Sequence, residues 1–92
     1  MKVVWTATAR RNLRTINDYI AQTSPAYAKR MVDRLTSRSK QIGVFPLSGR
    51  VVPEFEVGQI REVFLRPYRI IYHIRPNHVE VLGVVHMSRR IQ

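Results

Sequence analysis

Arg69, His73, His86, Arg89 and Arg90 lie on or just after three strand-like runs near the end of this 92-residue chain. Arginine offers a planar fork that pairs a phosphate or carboxylate through two bonds. Histidine moves protons near neutral pH. These residue types suit phosphodiester chemistry. Attack by a 2′-hydroxyl on RNA needs a base, an acid for the leaving oxygen and cations around the pentavalent phosphate. Arg69, Arg89 and Arg90 would clamp that phosphate, with Arg61 in support, while His73, His86 or Tyr72 would move protons. Structural roles compete with these: Arg69 pairing Glu62 across adjacent strands, His86 capping the last strand, and Tyr72 packing in the core, as its phase on the strand suggests.

Other chemistries find less support. His73, His78 and His86 fall close together, but they lack helical i,i+4 spacing and clustered carboxylates, so no metal site is expected. Ser48-Gly49 does not have the Gly-x-Ser-x-Gly form of a hydrolase elbow. The four glycines are isolated, which rules out a glycine-rich phosphate loop. No cofactor is implied.

Charge narrows the partners. Sixteen Lys and Arg face six Asp and Glu, a net charge of +10. The excess runs through both halves of the chain, as in a basic fold and unlike a basic tail. Such a protein favours nucleic acid, a ribosome or an acidic protein. On the second predicted helix Arg30, Arg34 and Arg38 recur every four residues, a basic stripe suited to docking a polyanion or an acidic antagonist. The chain has no cysteine, which fits a reducing cytoplasm. Neither a signal peptide nor an apolar run of membrane length is read, and no membrane association is expected.

These side chains must be positioned by one small domain, residues 1–92. Val3-Val4-Trp5 reads as an opening or edge strand. Thr6 caps a helix whose apolar stripe is Ala9, Leu13, Ile16 and Ile20, with Arg14 and Asp18 as an i,i+4 pair. Ser24-Pro25 starts a second helix that buries Ala28, Met31, Leu35 and Ile42 and ends near Gly43. Arg50–Glu54 gives a short strand that Pro53 confines to an edge. Ile60–Leu65, Tyr68–Arg75 and Val79–Met87 are the main strands, with Pro67 and then Pro76-Asn77 turning between them and His78 in the second turn. One face of Tyr68–Arg75 should pack, and the other should mix apolar and cationic groups. The fold expected is α+β, β-α-α-β-β-β with an optional fourth late strand, a helical hairpin on a small twisted, mainly antiparallel sheet.

In order and spacing, the segments VVWTATARRNLRTINDYIAQTSPAYAKR, FPLSGRVVPE, IREVFLRPYRIIYHI and VEVLGVVHMSRR make the chain resemble the RelE/ParE superfamily of toxins from bacterial type II toxin–antitoxin modules. The resemblance implies the same fold and a cytoplasmic protein that arrests growth. It also implies a hetero-oligomer with a cognate antitoxin that wraps the toxin with an acidic or amphipathic segment. RelE-like members cut mRNA on the ribosome, whereas ParE-like members inhibit DNA gyrase. Arg69 matches the arginine that follows a tyrosine on the central strand of the RelE-like nucleases. Arg89 and Arg90 loosely match their basic residues past the last strand, and His86 answers the histidine found there in some branches. The paired lysines before the central strand are replaced by Arg61-Glu62-Val63, and Ile91-Gln92 ends the chain without the terminal aromatic. These departures put the ParE-like reading ahead of ribosome-dependent mRNA cleavage, with a non-toxic basic module that binds nucleic acid or protein as a third reading.

Overall fold

The computed structural model describes residues 1–89. Strand β1 (Lys2–Trp5) leads into helix α1 (Ala7–Ala21), and helix α2 (Pro25–Val44) follows after a tight break. A 3-10 turn at Pro46–Ser48 precedes β2 (Arg50–Val51), β3 (Ile60–Leu65), β4 (Tyr68–Ile74) and β5 (His78–His86). The strands form one sheet in the order β1-β5-β4-β3-β2. All neighbours are antiparallel except β1 and β5, which run parallel. This is the expected α+β architecture with its fourth late strand present.

Local chemistry sets the helix starts. The Thr6 hydroxyl accepts from the Ala9 amide, and the Ser24 hydroxyl accepts from the Tyr27 amide with Pro25 at the first helical position. Each cap satisfies one donor that the first turn would otherwise leave open. Both helices turn their apolar stripes onto one face of the sheet. There Ile16, Met31, Leu35 and Ile42 meet Val63, Ile70, Tyr72, Val79, Val81 and Val84. Each such side chain buried from water contributes roughly 1.5–3 kcal/mol.

The sheet edge beside β1 is finished by side chains. The register of β1 covers His78 to Val81 of β5, and β4 and β5 slip by one residue at Ile71/Tyr72. The Thr6 hydroxyl donates to the Val81 carbonyl, and Asn12 on α1 accepts from the Val84 amide at 3.1 Å. Asn12 thus takes over where β1 stops. Asn12→Ala is expected to cost about 1–3 kcal/mol, because a part-buried amide loses its acceptor. Urea unfolding measures it, and a loss below about 0.5 kcal/mol would mean that water replaces Asn12 there.

Two expectations are corrected. His78 is not in the turn but opens β5, in register with Lys2. Arg14 and Asp18 do not form an ion pair among the described residues; Asn17 donates to Asp18 instead. The second face of β4 does mix cationic and apolar groups, Arg69 and Ile71, and both are buried. The loop after β2 folds over them, with Val52 fully buried, Glu54 bonded to Arg69, and Phe55 sharing a groove with Ile71.

Candidate functional site

Strand alternation sends Arg69 to the face opposite the helices, together with Glu62 and Ile71. Its register neighbour across β3 is Phe64, and Glu62 is the diagonal neighbour on the same face. The guanidinium Nη1 donates to Glu62 Oε1 at 2.8 Å, and Nη2 donates to Glu54 Oε2 at 2.6 Å. Nη2 also donates to the Arg89 carbonyl at 3.0 Å. Glu62 is in turn held by Arg50 Nε at 2.6 Å, and the Arg50 guanidinium lies over the Phe64 ring. The side chains of Glu62, Arg69 and Glu54 are only 0%, 7% and 12% exposed.

The result is an alternating chain of charge, Arg50–Glu62–Arg69–Glu54, with no net charge. The bonds from Glu54, supported by those from Glu62, push the Arg69 guanidinium above its ordinary range against the opposing effect of burial. Arg69 therefore stays charged, and its two terminal nitrogens are committed. Among the described residues its Nε is buried without a partner. The pairing with Glu62 that competed with a phosphate role in the sequence is present, reinforced by a second carboxylate from the loop.

His86 points the other way. It stands opposite Tyr68 in register, and the two rings meet edge to face with centroids 5.9 Å apart. Its Nδ1 lies 2.8 Å from Ser88 Oγ and accepts from the Ser88 amide at 3.2 Å. An Nδ1 that accepts leaves the proton of the neutral ring on Nε2. Arg69 and His86 are thus on opposite faces of the sheet, and the structure does not assemble them into one constellation. Arg89 is exposed and lines a cleft with Tyr68 and His86. Arg90 lies outside the described residues.

The other predicted residues divide. Arg61 is tied down, donating to the Gly58 and Gly49 carbonyls at 3.0 and 2.9 Å. His73 faces Glu80 across β4 and β5, half-buried. Tyr72 is completely buried in the core. Arg34 and Arg38 share a shallow cleft with Asp33, Ser37 and Leu65, while Arg30 turns toward the Tyr27 ring at 5.6 Å. Among the described residues no group of three His, Cys, Asp or Glu could hold a metal ion. No helix there is long and apolar enough to cross a membrane.

Sequence reasoning missed Glu54, Tyr19 and Tyr27. Glu54 sits in an irregular loop, and its reach to Arg69 depends on how that loop folds back. Tyr19 and Tyr27 fall on the polar sides of their helices. An exposed tyrosine at such a position was the available signal.

Residues 3–91 match the family described as the ParE toxin of the type II toxin–antitoxin system parDE. The chain belongs to this family. As a ParE-family toxin of a type II toxin–antitoxin system, it is similar to Toxin RelE2 of Caulobacter vibrioides, 35% identical over 96% of this chain and 97% of that protein. Its fold is similar to one in the chromosomal ParDE system from P. aeruginosa, with a TM-score of 0.78 and 22% identity over 94% of this chain and 95% of that one. It is also similar to one in the RelBE2 toxin–antitoxin complex from Mycobacterium tuberculosis, with a TM-score of 0.67 and 24% identity over 92% and 95%. In this ParE-family toxin Arg69 and His86 lie on opposite faces of the sheet.

Proposed function

We propose that this toxin arrests growth in the ParE manner, by inhibiting DNA gyrase without cutting RNA, and that a cognate antitoxin neutralises it in the cytoplasm. One observation carries the reading. Arg69, the arginine that would grip a scissile phosphate, has both terminal nitrogens held by Glu54, Glu62 and the Arg89 carbonyl, on the opposite sheet face from His86. The free electron pair that a histidine base would use is engaged by Ser88. A free phosphate clamp and a free histidine base therefore do not stand together at one site.

The solved relatives in toxin–antitoxin systems support a hetero-oligomer. With a net charge of +10, an acidic or amphipathic antitoxin segment is the complementary partner. Arg34 and Arg38 are proposed as part of its docking surface, with Arg30 at one end. Exposed Arg89, with Arg90, is proposed for contact with the target.

Purified toxin is expected to block gyrase supercoiling, or to trap cleaved DNA, at roughly stoichiometric amounts while a purified translation system keeps its mRNA intact. Cleavage of ribosome-bound mRNA with supercoiling untouched would replace this reading with the RelE-like one.

A further inference from the structure

One end of the molecule is lined by tyrosine rings that the preceding reading leaves unused, beside Arg30 and Arg89, which it assigns to the antitoxin and the target. Tyr19, near the end of α1, is 72% exposed, and Tyr27, in the first turns of α2, is 42% exposed. The break between the helices brings both to one cleft of about 320 Å³. Tyr19 also lines an adjoining cleft of about 270 Å³ with Tyr68, His86 and Arg89. The two clefts therefore share Tyr19. The Tyr68 hydroxyl is pushed above its ordinary range by burial first, and then by the nearby Tyr27 and Tyr19 hydroxyls. Four rings thus line one continuous surface.

Cations flank them. Arg30 lies over the Tyr27 ring, and Arg89 stands beside His86. Among the described residues no acidic side chain lines either cleft. Polar side chains line the second cleft as well. Asn12, whose oxygen accepts from the Val84 amide, and Thr15 are among the lining residues. An acidic peptide would use the arginines but has no need of exposed tyrosine faces. A duplex would find its bases stacked out of reach. A single strand uses both, since its bases stack on the rings and its phosphates meet the arginines.

We propose that this end of the toxin binds single-stranded DNA, its bases stacked on Tyr19 and Tyr27 and its backbone running past Arg30 and Arg89. The choice of DNA over RNA rests on the topoisomerase reading above, since that target works on DNA. Sequence preference is weak, because every base offers a face to a tyrosine.

The test is fluorescence anisotropy of a labelled oligo(dT) of about 12 nucleotides with the full-length chain. Tyr19→Ala and Tyr27→Ala are each expected to weaken binding about tenfold while keeping its salt dependence, and Arg89→Ala to make the salt dependence shallower. Lys40→Ala serves as the charge control, about 20 Å along α2 from Tyr27, and should change binding less than twofold. Tyrosine variants that bind no more weakly than Lys40→Ala overturn the proposal, because the attraction is then purely electrostatic. Displacement of oligo(dT) by an equal charge of poly-glutamate overturns it in favour of an acidic protein, and tighter binding of oligo(rU) overturns the assignment to DNA. Supercoiling assays on the same preparations separate the two readings. Tyrosine-dependent oligo(dT) binding without gyrase inhibition defeats the topoisomerase reading alone, whereas gyrase inhibition without such binding defeats this proposal alone.

Discussion

Arg69→Ala is expected to lose about 3–5 kcal/mol of folding stability, the largest effect of any single substitution in the ion-pair chain. The cost comes from what is left behind more than from the bonds removed. Glu62, whose side chain is fully buried, would keep only Arg50, and Glu54 would lose the bidentate partner that holds its loop down. A domain of this size has a total stability of about 5–15 kcal/mol, so the variant would sit near the edge of folding. Urea denaturation followed by circular dichroism gives the number. A loss under about 1 kcal/mol would show that water hydrates the carboxylates and that the network is slack.

The prediction changes how a toxicity assay on this residue is read. Loss of toxicity in Arg69→Ala would be the outcome of either a lost phosphate contact or a partly unfolded protein. Glu54→Gln separates these. It weakens the grip on Arg69 from the loop side and leaves the arginine in place, so it should lower stability by less than Arg69→Ala does. Arg69→Lys is not a neutral control, because an ammonium cannot reproduce the fork that reaches Glu62, Glu54 and the Arg89 carbonyl at once.

The second large effect is expected at Tyr72. Its side chain is completely buried, its hydroxyl donates to the Pro46 carbonyl at 2.5 Å, and it accepts from the Gly49 amide at 3.0 Å. One ring thus fills the core and ties the connector between α2 and β2 to the central strand. Gly49 is required at this approach, because a methyl group there would sit 2.4 Å from the Tyr72 hydroxyl and 2.6 Å from the Glu62 carbonyl. Tyr72→Ala should cost about 3–5 kcal/mol through the cavity it leaves. Tyr72→Phe should cost about 1–3 kcal/mol, since the Gly49 amide then loses its acceptor. A cost near zero for the phenylalanine variant would mean that the hydroxyl bonds only balance their desolvation.

The same hydroxyl gives a pH signature. Burial pushes Tyr72 above its ordinary value, outweighing the Gly49 amide and the arginines that pull it down. The folded state therefore keeps its proton where the unfolded chain begins to ionise, near pH 10. The resulting stability is fully present below about pH 10 and is lost as pH rises through the folded value. Tyr68 is shifted in the same direction and adds to the loss. Tyr72→Phe should consequently show a shallower alkaline decline than the parent. Equal slopes in the two proteins would assign the alkaline loss to other groups.

Much of the architecture was legible in the residues. Thr6 and Ser24-Pro25 are starts that any helix-forming segment would use, because they satisfy local donors within a few residues. The apolar stripes of both helices and the runs at Ile60, Tyr68 and Val79 are short-range patterns of the same kind. The resemblance to RelE/ParE toxins rested on their order, and the family match across residues 3–91 agrees with it. His78 was misplaced because a Pro-Asn turn looks the same whether the following residue pairs or not. Its pairing depends on Lys2, which is remote in sequence.

The candidate site was less legible, for a geometric reason. Arg69 and His86 both lie near the end of the sheet, and only the register of β4 against β5 reveals that they leave opposite faces. Glu54 reaches Arg69 because an irregular loop folds back over the strand. Tyr19 shares one cleft with Tyr27 and another with Tyr68, because the end of α1 and the starts of α2 and β4 come to one side of the molecule. By itself, the sequence determined the elements and the basic charge, which follow from local pattern and composition, and pointed to the family through the order of its segments. The tertiary structure decided which arginine is held by carboxylates and which rings and cations share a cleft, because contacts between distant residues are set by strand register and helix packing.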